Sequence, residues 1–184
     1  MAETKISSRY ANSFLGLGIE KNILEKTALD MELMLNVFES SRELRRVIES
    51  PVIKPELKES VLREIFAAKV DSETMNFFSF IISKRRESLL SSIAKKFLEL
   101  KDEHLGIVRA SIVSAFELSA DQKNQLKSRF ESSLGKTVIL SYQVDNNLLG
   151  GFVAKVGDTI YDASVKHQLN LLKKHFVKAG ISLN

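Results

Sequence analysis

The sequence contains no cysteine and no tryptophan, and only two of its 184 residues are proline. Without cysteine the chain can form neither disulfide bonds nor thiolate metal sites, which fits a reducing compartment. No run of about 18 apolar residues occurs, so no segment is predicted to span a membrane. Residues 1–5 form neither an apolar signal core nor an arginine-rich leader, so we expect no targeting segment. The net charge of +4 permits an acidic partner but does not call for nucleic acid.

Apolar residues at helical spacing dominate residues 1–105 and predict helices. Hydrophobic residues make up 44% of the sequence, which is enough for a packed core. We expect the first helix to fade at Gly16 and Gly18, and the third to begin with a capping box at Ser40–Glu43. Proline should then end the third helix, with Pro55 as the first residue of the fourth. The apolar stripes of these four helices are Ile6, Tyr10, Phe14 and Leu17; Leu24, Ala28, Met31, Leu35 and Phe38; Leu44, Val47 and Ile48; and Leu57, Val61, Ile65 and Phe66.

The fifth predicted helix is apolar on nearly every side, and Asp71 or Ser72 can cap its start. Its apolar residues are Met75, Phe77, Phe78, Phe80, Ile81 and Ile82. Such a helix is either central in a bundle or also faces a partner, and packing alone favours the central position. A sixth helix, from Leu89 or Leu90 to near Gly106, completes a compact bundle.

After Gly106 the pattern changes to short strands around one helix. Ile107–Phe116 is rich in β-branched residues and predicts a strand. Ser119–Gln122 is a second capping box, and it opens a helix. That helix carries Leu126, Phe130 and Leu134 on one face, and the strand after it carries Val138, Leu140, Tyr142 and Val144 on its half-buried face.

Two adjacent glycines follow inside an apolar run, which indicates a bend or a close approach of another backbone. Gly157 and Asp158 predict a tight turn between two short strands, and the chain then enters a last helix. Turn or cap roles are predicted for Gly150, Gly151, Gly157, Asp158, Asp162 and Ser164. Together these patterns predict an α+β protein. It has a six-helix bundle in residues 1–105 and a small α/β domain in residues 106–184, with a short mixed or antiparallel sheet.

The sequence contains few residues in the patterns that nucleotide-binding, metal or catalytic sites require. In Gly135-Lys136-Thr137, the glycine that a P-loop needs further upstream is replaced by Phe130, and the segment follows a helix. The histidines are His104, His167 and His175, and the last two lie two helical turns apart, which is too far for a zinc pair. Asp145, Asp158 and Asp162 are explained more simply by turns and caps than by a carboxylate site. We therefore predict no catalytic residues, no metal site and no cofactor.

Three basic clusters could suggest a nucleic-acid interface. They are Arg42, Arg45 and Arg46; Lys84, Arg85 and Arg86; and Lys173 and Lys174. A nucleic-acid surface would combine such a patch with exposed aromatic residues, whereas here the aromatic residues lie on the apolar stripes. Solvated faces or contacts with acidic partners are the better interpretation.

The segment from Val144 to Val165 resembles the C-terminal signature of the δ subunit of F-type ATP synthase. That family includes the mitochondrial oligomycin-sensitivity-conferring protein. The pattern is a V-D-x-x-L-(I/L)-G-G strand, a G-D turn and a D-x-S-(V/I) helix start. The matching residues are Val144, Asp145, Leu148, Gly150, Gly151, Phe152, Val156, Gly157, Asp158, Asp162, Ser164 and Val165.

The N-terminal half is similar to the same family in three places. They are Arg9-Tyr10-Ala11, the segment from Pro51 to Lys58, and Asn76–Ile82. The chain departs from the family at Lys84-Arg85-Arg86, where the family usually has Asn-x-Arg.

The resemblance implies a non-catalytic stator subunit, one copy per complex, that links the catalytic head to the peripheral stalk. In the family, the bundle binds the N-terminal helix of an α subunit in a groove between the first and fifth helices. The C-terminal domain meets the C-terminal ends of the b subunits. The residues assigned to the α-subunit groove are Tyr10, Phe14, Leu17, Phe77, Phe80 and Ile81, and those assigned to the stalk are Val165, Leu169, Leu172 and Phe176.

The implied location is peripheral, on the cytoplasmic face of a bacterial cell membrane or, alternatively, on the stromal side of a plastid thylakoid. Three other classes stay open: an adaptor for helices of an unrelated partner, an RNA-binding protein that uses the basic clusters, and, least favoured, a small enzyme.

Overall fold

The computed structural model describes residues 2–157 and 159–178. The chain divides between His104 and Leu105 into two units, Met1–His104 and Leu105–Asn184, called unit 1 and unit 2 below. Unit 1 is helical. Its elements are α1 (Ala2–Glu20), α2 (Leu24–Ser40), α3 (Arg42–Glu49), α4 (Pro55–Phe66), α5 (Ser72–Ser83), a 3₁₀ turn (Glu87–Leu89) and α6 (Leu90–His104).

Helix α1 runs through both of its glycines to Glu20, so the expectation that it fades at Gly16 and Gly18 was wrong. Gly18 is buried, and a Cβ atom there would lie 3.3 Å from Oγ1 of Thr27 on α2. A glycine at this position therefore lets α1 approach α2 closely. Each helical glycine costs about 1 kcal/mol relative to alanine, and packing along α1 offsets that cost.

The start of α3 differs from the predicted capping box by one residue. Ser41, not Ser40, is the N-cap, and its Oγ accepts a hydrogen bond from the Leu44 amide at 3.2 Å. Ser40 is the last residue of α2, where its hydroxyl donates to the Val37 carbonyl at 3.0 Å. Because a single residue separates the two helices, only Ser41 has the extended backbone that a cap requires.

Helix α4 begins at Pro55 as predicted, and Val61, Ile65 and Phe66 face the core as predicted, but Leu57 does not. Leu57 is 57% exposed, whereas the side chain of Lys58 is 1% exposed. The Lys58 ammonium lies 2.5 Å from a carboxylate oxygen of Glu87, which forms an ion pair inside the bundle. The aliphatic part of the lysine side chain therefore takes the place that an apolar residue was expected to fill.

The core of unit 1 collects apolar side chains from all six helices, with Phe14, Phe66, Phe78 and Phe97 among the largest fully buried ones. Phe78 and Phe66 meet edge to face with ring centroids 6.0 Å apart. Helix α5 is central, since its Met75, Phe78, Ile81 and Ile82 are buried, yet Phe80 on the same helix is 46% exposed.

Unit 2 packs one helix on a mixed sheet. Its elements are β1 (Ile107–Ser114), α7 (Ala120–Leu134), β2 (Thr137–Val144), β3 (Phe152–Val156), β4 (Thr159–Asp162) and α8 (Val165–Lys178). The strand order is β2-β1-β3-β4, with β1 parallel to β2 and the other pairs antiparallel. Phe130 and Leu134 of α7 pack against Ala110, Val138 and Val156 of the sheet. This agrees with the predicted α+β class.

The second capping box is present as predicted. Ser119 Oγ accepts from the Gln122 amide at 3.3 Å, and the Ser119 amide donates to Gln122 Oε1 at 2.9 Å. At the other end of α7, Gly135 takes a left-handed backbone conformation and forms the C-cap. Among the helices that the structure describes, none is long and apolar enough to cross a lipid bilayer.

Candidate interaction surfaces

Aromatic rings from α1 and α5 meet at the surface of unit 1. Tyr10 and Phe80 contact edge to face, with centroids 6.2 Å apart and an interplanar angle of 70°. One turn further along α1, Phe14 stacks on Phe77 at a centroid distance of 4.2 Å. Such pairs add about 0.5–1.5 kcal/mol beyond the area they bury. The α1–α5 surface is defined here by Tyr10, Leu17, Phe77 and Phe80.

The six residues assigned to this region from the sequence lie at different depths. Phe14 and Ile81 are buried in the core, so they can support the surface only from beneath. Tyr10, Leu17 and Phe77 are half-buried, and Phe80 is exposed. The four residues of the α1–α5 surface therefore have side-chain area that a partner could cover.

Lys84 belongs to the same region, although sequence reasoning did not assign it. Its ammonium lies 5.5 Å from the centroid of the Phe80 ring, within the range of a cation–π interaction. The signal was a basic cluster directly after the apolar helix α5. Arg85, its neighbour, has a positive φ of 52°, so the chain turns sharply at this end of the surface.

The start of α5 is fixed by a polar network from α2. Asp30 is buried, and its Oδ2 accepts hydrogen bonds from the Asp71 amide at 2.9 Å and from the Thr74 hydroxyl at 2.6 Å. Asp71 caps α5 through the Glu73 amide and pairs with Lys26 at 2.8 Å. The hydrogen bond from Lys26, followed by that from the Glu73 amide, lowers the pKa of Asp71.

A second polar group joins α5 to α4. Glu59 Oε1 accepts hydrogen bonds from the Ser79 hydroxyl at 2.8 Å and from Arg63 at 3.0 Å. These two bonds, with that from Ser79 the larger cause, lower the pKa of Glu59. Helix α5 is therefore held at its first turn and at its middle, which fixes the aromatic residues of the α1–α5 surface.

The second surface is α8 in unit 2. Four residues were assigned to the stalk contact from the sequence, and they are called the α8 stripe below: Val165, Leu169, Leu172 and Phe176. All four are exposed, with between 40% and 55% of their surface accessible. Leu171, which does not fall on that spacing and was not predicted, is 44% exposed. Every described side chain from Val165 to Phe176 is exposed, so the apolar side of α8 has little cover within unit 2.

The first turn of α8 is held by short-range hydrogen bonds. Asp162 Oδ1 accepts from the Ser164 amide at 2.9 Å, and Ser164 Oγ accepts from the His167 amide at 3.2 Å. Hydrogen bonds from Ser164 are the largest cause of the lowered pKa of Asp162. Ser164 is buried, which fixes the point at which the helix begins.

The two adjacent glycines lie beside this helix start. Gly151 has a φ of +78°, and a Cβ atom there would lie 2.3 Å from the carbonyl oxygen of Ala163. The close backbone approach that the sequence indicated is therefore that of the segment leading into α8. Gly157, with a φ of +58°, lies between β3 and β4, whereas the turn role predicted for Asp158 falls outside the described residues.

A cleft in unit 2 was not predicted. It has a volume of about 240 Å³ and lies where α7 begins beside the ends of β1 and β3. Its lining is mainly apolar, with one arginine, and includes Phe116, Leu118, Leu126, Arg129 and Phe152. Within the described ranges, no group of three or more histidine, aspartate or glutamate side chains could hold a metal ion.

The α1–α5 surface of the bundle and the uncovered α8 of the second unit are exposed apolar surfaces of the kind through which proteins bind other proteins. Comparison with known proteins agrees with this protein-binding class. The family model described as ATP synthase delta (OSCP) subunit matches residues 6–176. The chain therefore belongs to the ATP synthase delta (OSCP) subunit family, and it is a stator component of F-type ATP synthase.

Relatives in bacteria match over almost their whole length. The ATP synthase subunit delta of Chlorobaculum tepidum is 37% identical, over 96% of this chain and 98% of the relative. The same subunit of Desulforudis audaxviator is 33% identical, over 94% of this chain and 95% of the relative. These relatives are a non-catalytic, membrane-associated peripheral component of an enzyme complex, and members of the family associate with other ATP synthase subunits.

A solved structure has the same fold. A chain of the Toxoplasma gondii mitochondrial ATP synthase hexamer matches with a TM-score of 0.70, at 24% sequence identity, over 93% of this chain and 97% of that chain. The similarity extends over both units and agrees with the architecture described above.

Proposed function

We propose that this chain is itself non-catalytic and joins two partners in the ATP synthase, one through each unit. Unit 1 binds the N-terminal helix of an α subunit, and unit 2 binds the C-terminal ends of the b subunits. One copy holds the catalytic head against rotation, on the cytoplasmic face of a bacterial cell membrane. The observation that carries the proposal is that each unit leaves a set of apolar side chains uncovered on a helix.

For unit 1, the α1–α5 surface suits helix-in-groove recognition. A partner helix presents apolar residues on one face, and these pack between two helices of the receptor. Tyr10 and Phe80 form the edge of the surface, and buried Phe14 and Ile81 lie beneath it. Apolar burial is worth about 25 cal/mol per Å², so covering a few hundred Å² would bind a helix firmly after the ordering costs.

The polar rim adds a preference for acidic residues on the partner. Lys84 lies against the exposed ring of Phe80, and Arg85 and Arg86 follow it. A carboxylate on the partner helix would meet this basic segment at the end of α5. Rim charges chiefly affect the association rate and its salt dependence, so we expect the aromatic residues to supply most of the affinity.

For unit 2, the α8 stripe supports the assignment of the stalk contact. Fully burying one leucine or phenylalanine side chain is worth about 1.5–3 kcal/mol relative to leaving it in water. Leu169, Leu172 and Phe176 each keep 40% or more of their surface exposed in this chain alone. A second helix laid along α8 would remove that area from water, as in other helix–helix pairs.

The test is a pair of titrations with the full chain. A labelled peptide that copies the α-subunit N-terminus is titrated with Tyr10→Asp/Phe80→Asp and followed by fluorescence anisotropy. We expect the affinity to fall by about a hundredfold, which corresponds to two lost aromatic contacts. Val52→Asp/Leu57→Asp is the control, because these two side chains are 88% and 57% exposed and lie outside the α1–α5 surface.

The stalk arm uses the soluble part of the b subunits. Leu169→Asp/Leu172→Asp should abolish their binding, whereas Asn170→Asp, an exposed change on the same helix, should leave it intact. Unchanged peptide affinity in a folded Tyr10→Asp/Phe80→Asp protein would show that the α-subunit placement is wrong. Unchanged b-subunit affinity in the α8 double variant would do the same for the stalk placement.

A further inference from the structure

The direction in which α8 leaves the sheet is set by backbone contacts at its start. The Val165 amide donates to the Gly150 carbonyl at 3.0 Å, and the Ala163 amide donates to the Phe152 carbonyl at 2.9 Å. The Gly151 carbonyl accepts from the Ala115 amide at 3.2 Å, which connects the same point to the end of β1. Further along α8 every described side chain is exposed, so side-chain packing contributes little to its orientation.

Gly150 and Gly151 both lack a Cβ atom that would block the close approach of the segment entering α8, but the blocked atoms differ. At Gly151 a Cβ atom would collide with backbone, lying 2.3 Å from the Ala163 oxygen and 3.1 Å from the Ser164 Cα. At Gly150 it would collide with a side chain, at 2.9 Å from Cγ2 of Val165. Backbone atoms cannot rotate away, so a side chain at residue 151 has to move either the helix start or the strand end.

We propose that Gly150 and Gly151 are positioning residues for partner binding: they fix the direction of α8 and, through α8, the affinity for the b subunits. The inference rests on the proposed function of α8. The helix has 14 residues. Its length is therefore about 21 Å, and a tilt of about 20° at its start displaces its far end by about 7 Å. The same tilt displaces Leu172 by about 4 Å and Phe176 by about 6 Å, which moves both side chains away from a partner that the unperturbed helix fits.

The variants are Gly151→Ala and a matched control, Gly157→Ala. Both replace a glycine with positive φ by alanine, so both carry a comparable backbone penalty. They differ in surroundings, because a Cβ atom at Gly157 meets nothing within 4 Å. A difference between the two variants therefore reports the collision with Ala163.

The first readout is the direction of α8. The chain contains no cysteine, so spin labels can be attached at two introduced cysteines, Ser128→Cys on α7 and Lys173→Cys on α8, both exposed positions. The label at residue 173 lies about 12 Å from the start of α8, so a tilt of about 20° in Gly151→Ala should shift or broaden the distance distribution by about 4 Å. Gly157→Ala should leave the parent's distribution unchanged.

The second readout is affinity for the soluble part of the b subunits, measured on unlabelled protein. We expect Gly151→Ala to bind about tenfold more weakly than Gly157→Ala. If Leu172→Asp abolishes binding but Gly151→Ala keeps the parent's distances and affinity, the positioning inference is overturned. If Leu172→Asp itself binds normally, the proposed function fails, and the inference fails with it.

A rescue variant separates positioning from loss of folding. Gly150→Ala should weaken b-subunit binding and shift the label distance, and adding Val165→Ala removes the methyl group that it strikes. We expect Gly150→Ala/Val165→Ala to regain the label distance of the parent and the affinity of Val165→Ala alone. If the double variant is not restored, the inference is wrong. If Gly151→Ala loses amide protection at Ile112 and Ala154, unit 2 is no longer folded in that variant. The Gly150→Ala pair then tests the positioning role alone.

Discussion

In unit 1 the side chains of Phe66, Phe78 and Phe97 have no measurable exposure, whereas in unit 2 helix α7 buries no residue and α8 has every described side chain exposed. Unit 1 thus carries a large core, and Tyr10, Leu17 and Phe77 of the α1–α5 surface pack against its edge. Unit 2 has one small apolar cluster, Ala110, Val138 and Val156, supported by α7, and its Ile112 and Ala154 are also fully buried. The bundle should therefore lose a surface contact at little cost to its fold, whereas unit 2, whose α8 is exposed along its length, has more apolar area for a partner to cover.

The largest effect should come from truncating the centre of the bundle. Phe78→Ala removes a fully buried ring that contacts Phe66, and we expect it to lower the free energy of unfolding of unit 1 by about 3–5 kcal/mol. Phe130→Ala, at a half-buried position on α7, should cost unit 2 about 1–2 kcal/mol. Amide exchange at Phe97 and Ile112 under increasing denaturant measures the two units separately.

The two exchange probes also test whether the units are energetically separate. If Phe78→Ala lowers protection at Ile112 as much as at Phe97, the chain unfolds as a single body and the two units are not energetically separate. If only Phe97 loses protection, the bundle core supports unit 1 alone.

A second, smaller effect compares the caps of the two units. Ser41→Ala and Ser119→Ala each remove a hydroxyl that accepts a hydrogen bond from an amide in the first turn of a helix, and each should cost about 1 kcal/mol. Ser40→Ala is the matched control, because Ser40 bonds a carbonyl at the end of α2 and caps nothing. The measurement is thermal unfolding. A larger loss of stability in Ser40→Ala than in Ser41→Ala would contradict the assignment of Ser41 as the cap.

Local signals in the sequence were sufficient to predict where most helices and strands begin. Pro55 marks the first residue of α4, Ser119 with Gln122 marks the start of α7, and the adjacent glycines mark a close backbone approach. Each of these signals depends on residues within a few positions of one another. For the same reason, the class of fold and the order of helices and strands could be predicted.

The structure differs from the sequence predictions where contacts between residues distant in the sequence determine burial. Lys58 is buried because Glu87, 29 residues away, pairs with it, and no local pattern contains that partner. Helix α1 continues through Gly18, where a Cβ atom would lie 3.3 Å from Thr27, nine residues further along the chain. At the candidate surfaces, the sequence supplied the apolar residues but not their depth, so Phe14 and Ile81 could not be separated from exposed Phe80 before their neighbours were known.

The smallest expected effect concerns pH and one carboxylate in each unit. Asp71 in unit 1 and Asp162 in unit 2 have pKa values lowered by hydrogen bonds at a helix start. A carboxylate with a lowered folded-state pKa stabilises the fold above its unfolded-state pKa, and that contribution is lost as the pH falls through the folded-state pKa. Each unit should therefore lose some stability below about pH 4, the pKa of an unperturbed aspartate.

The matched variants are Asp71→Asn and Asp162→Asn, which keep an oxygen acceptor for the helix amide but remove the charge. Asp71→Asn should reduce the acid dependence of unit 1 alone, where Glu59 still contributes, and Asp162→Asn that of unit 2 alone, as followed by amide exchange between pH 7 and pH 3. Lys26 is 63% exposed, so its bond to Asp71 should weaken in salt. The hydrogen bonds from the Ser164 side chain and backbone that lower the pKa of Asp162 come from neutral donors and should be less sensitive to salt, so equal salt dependence in the two units would contradict these assignments.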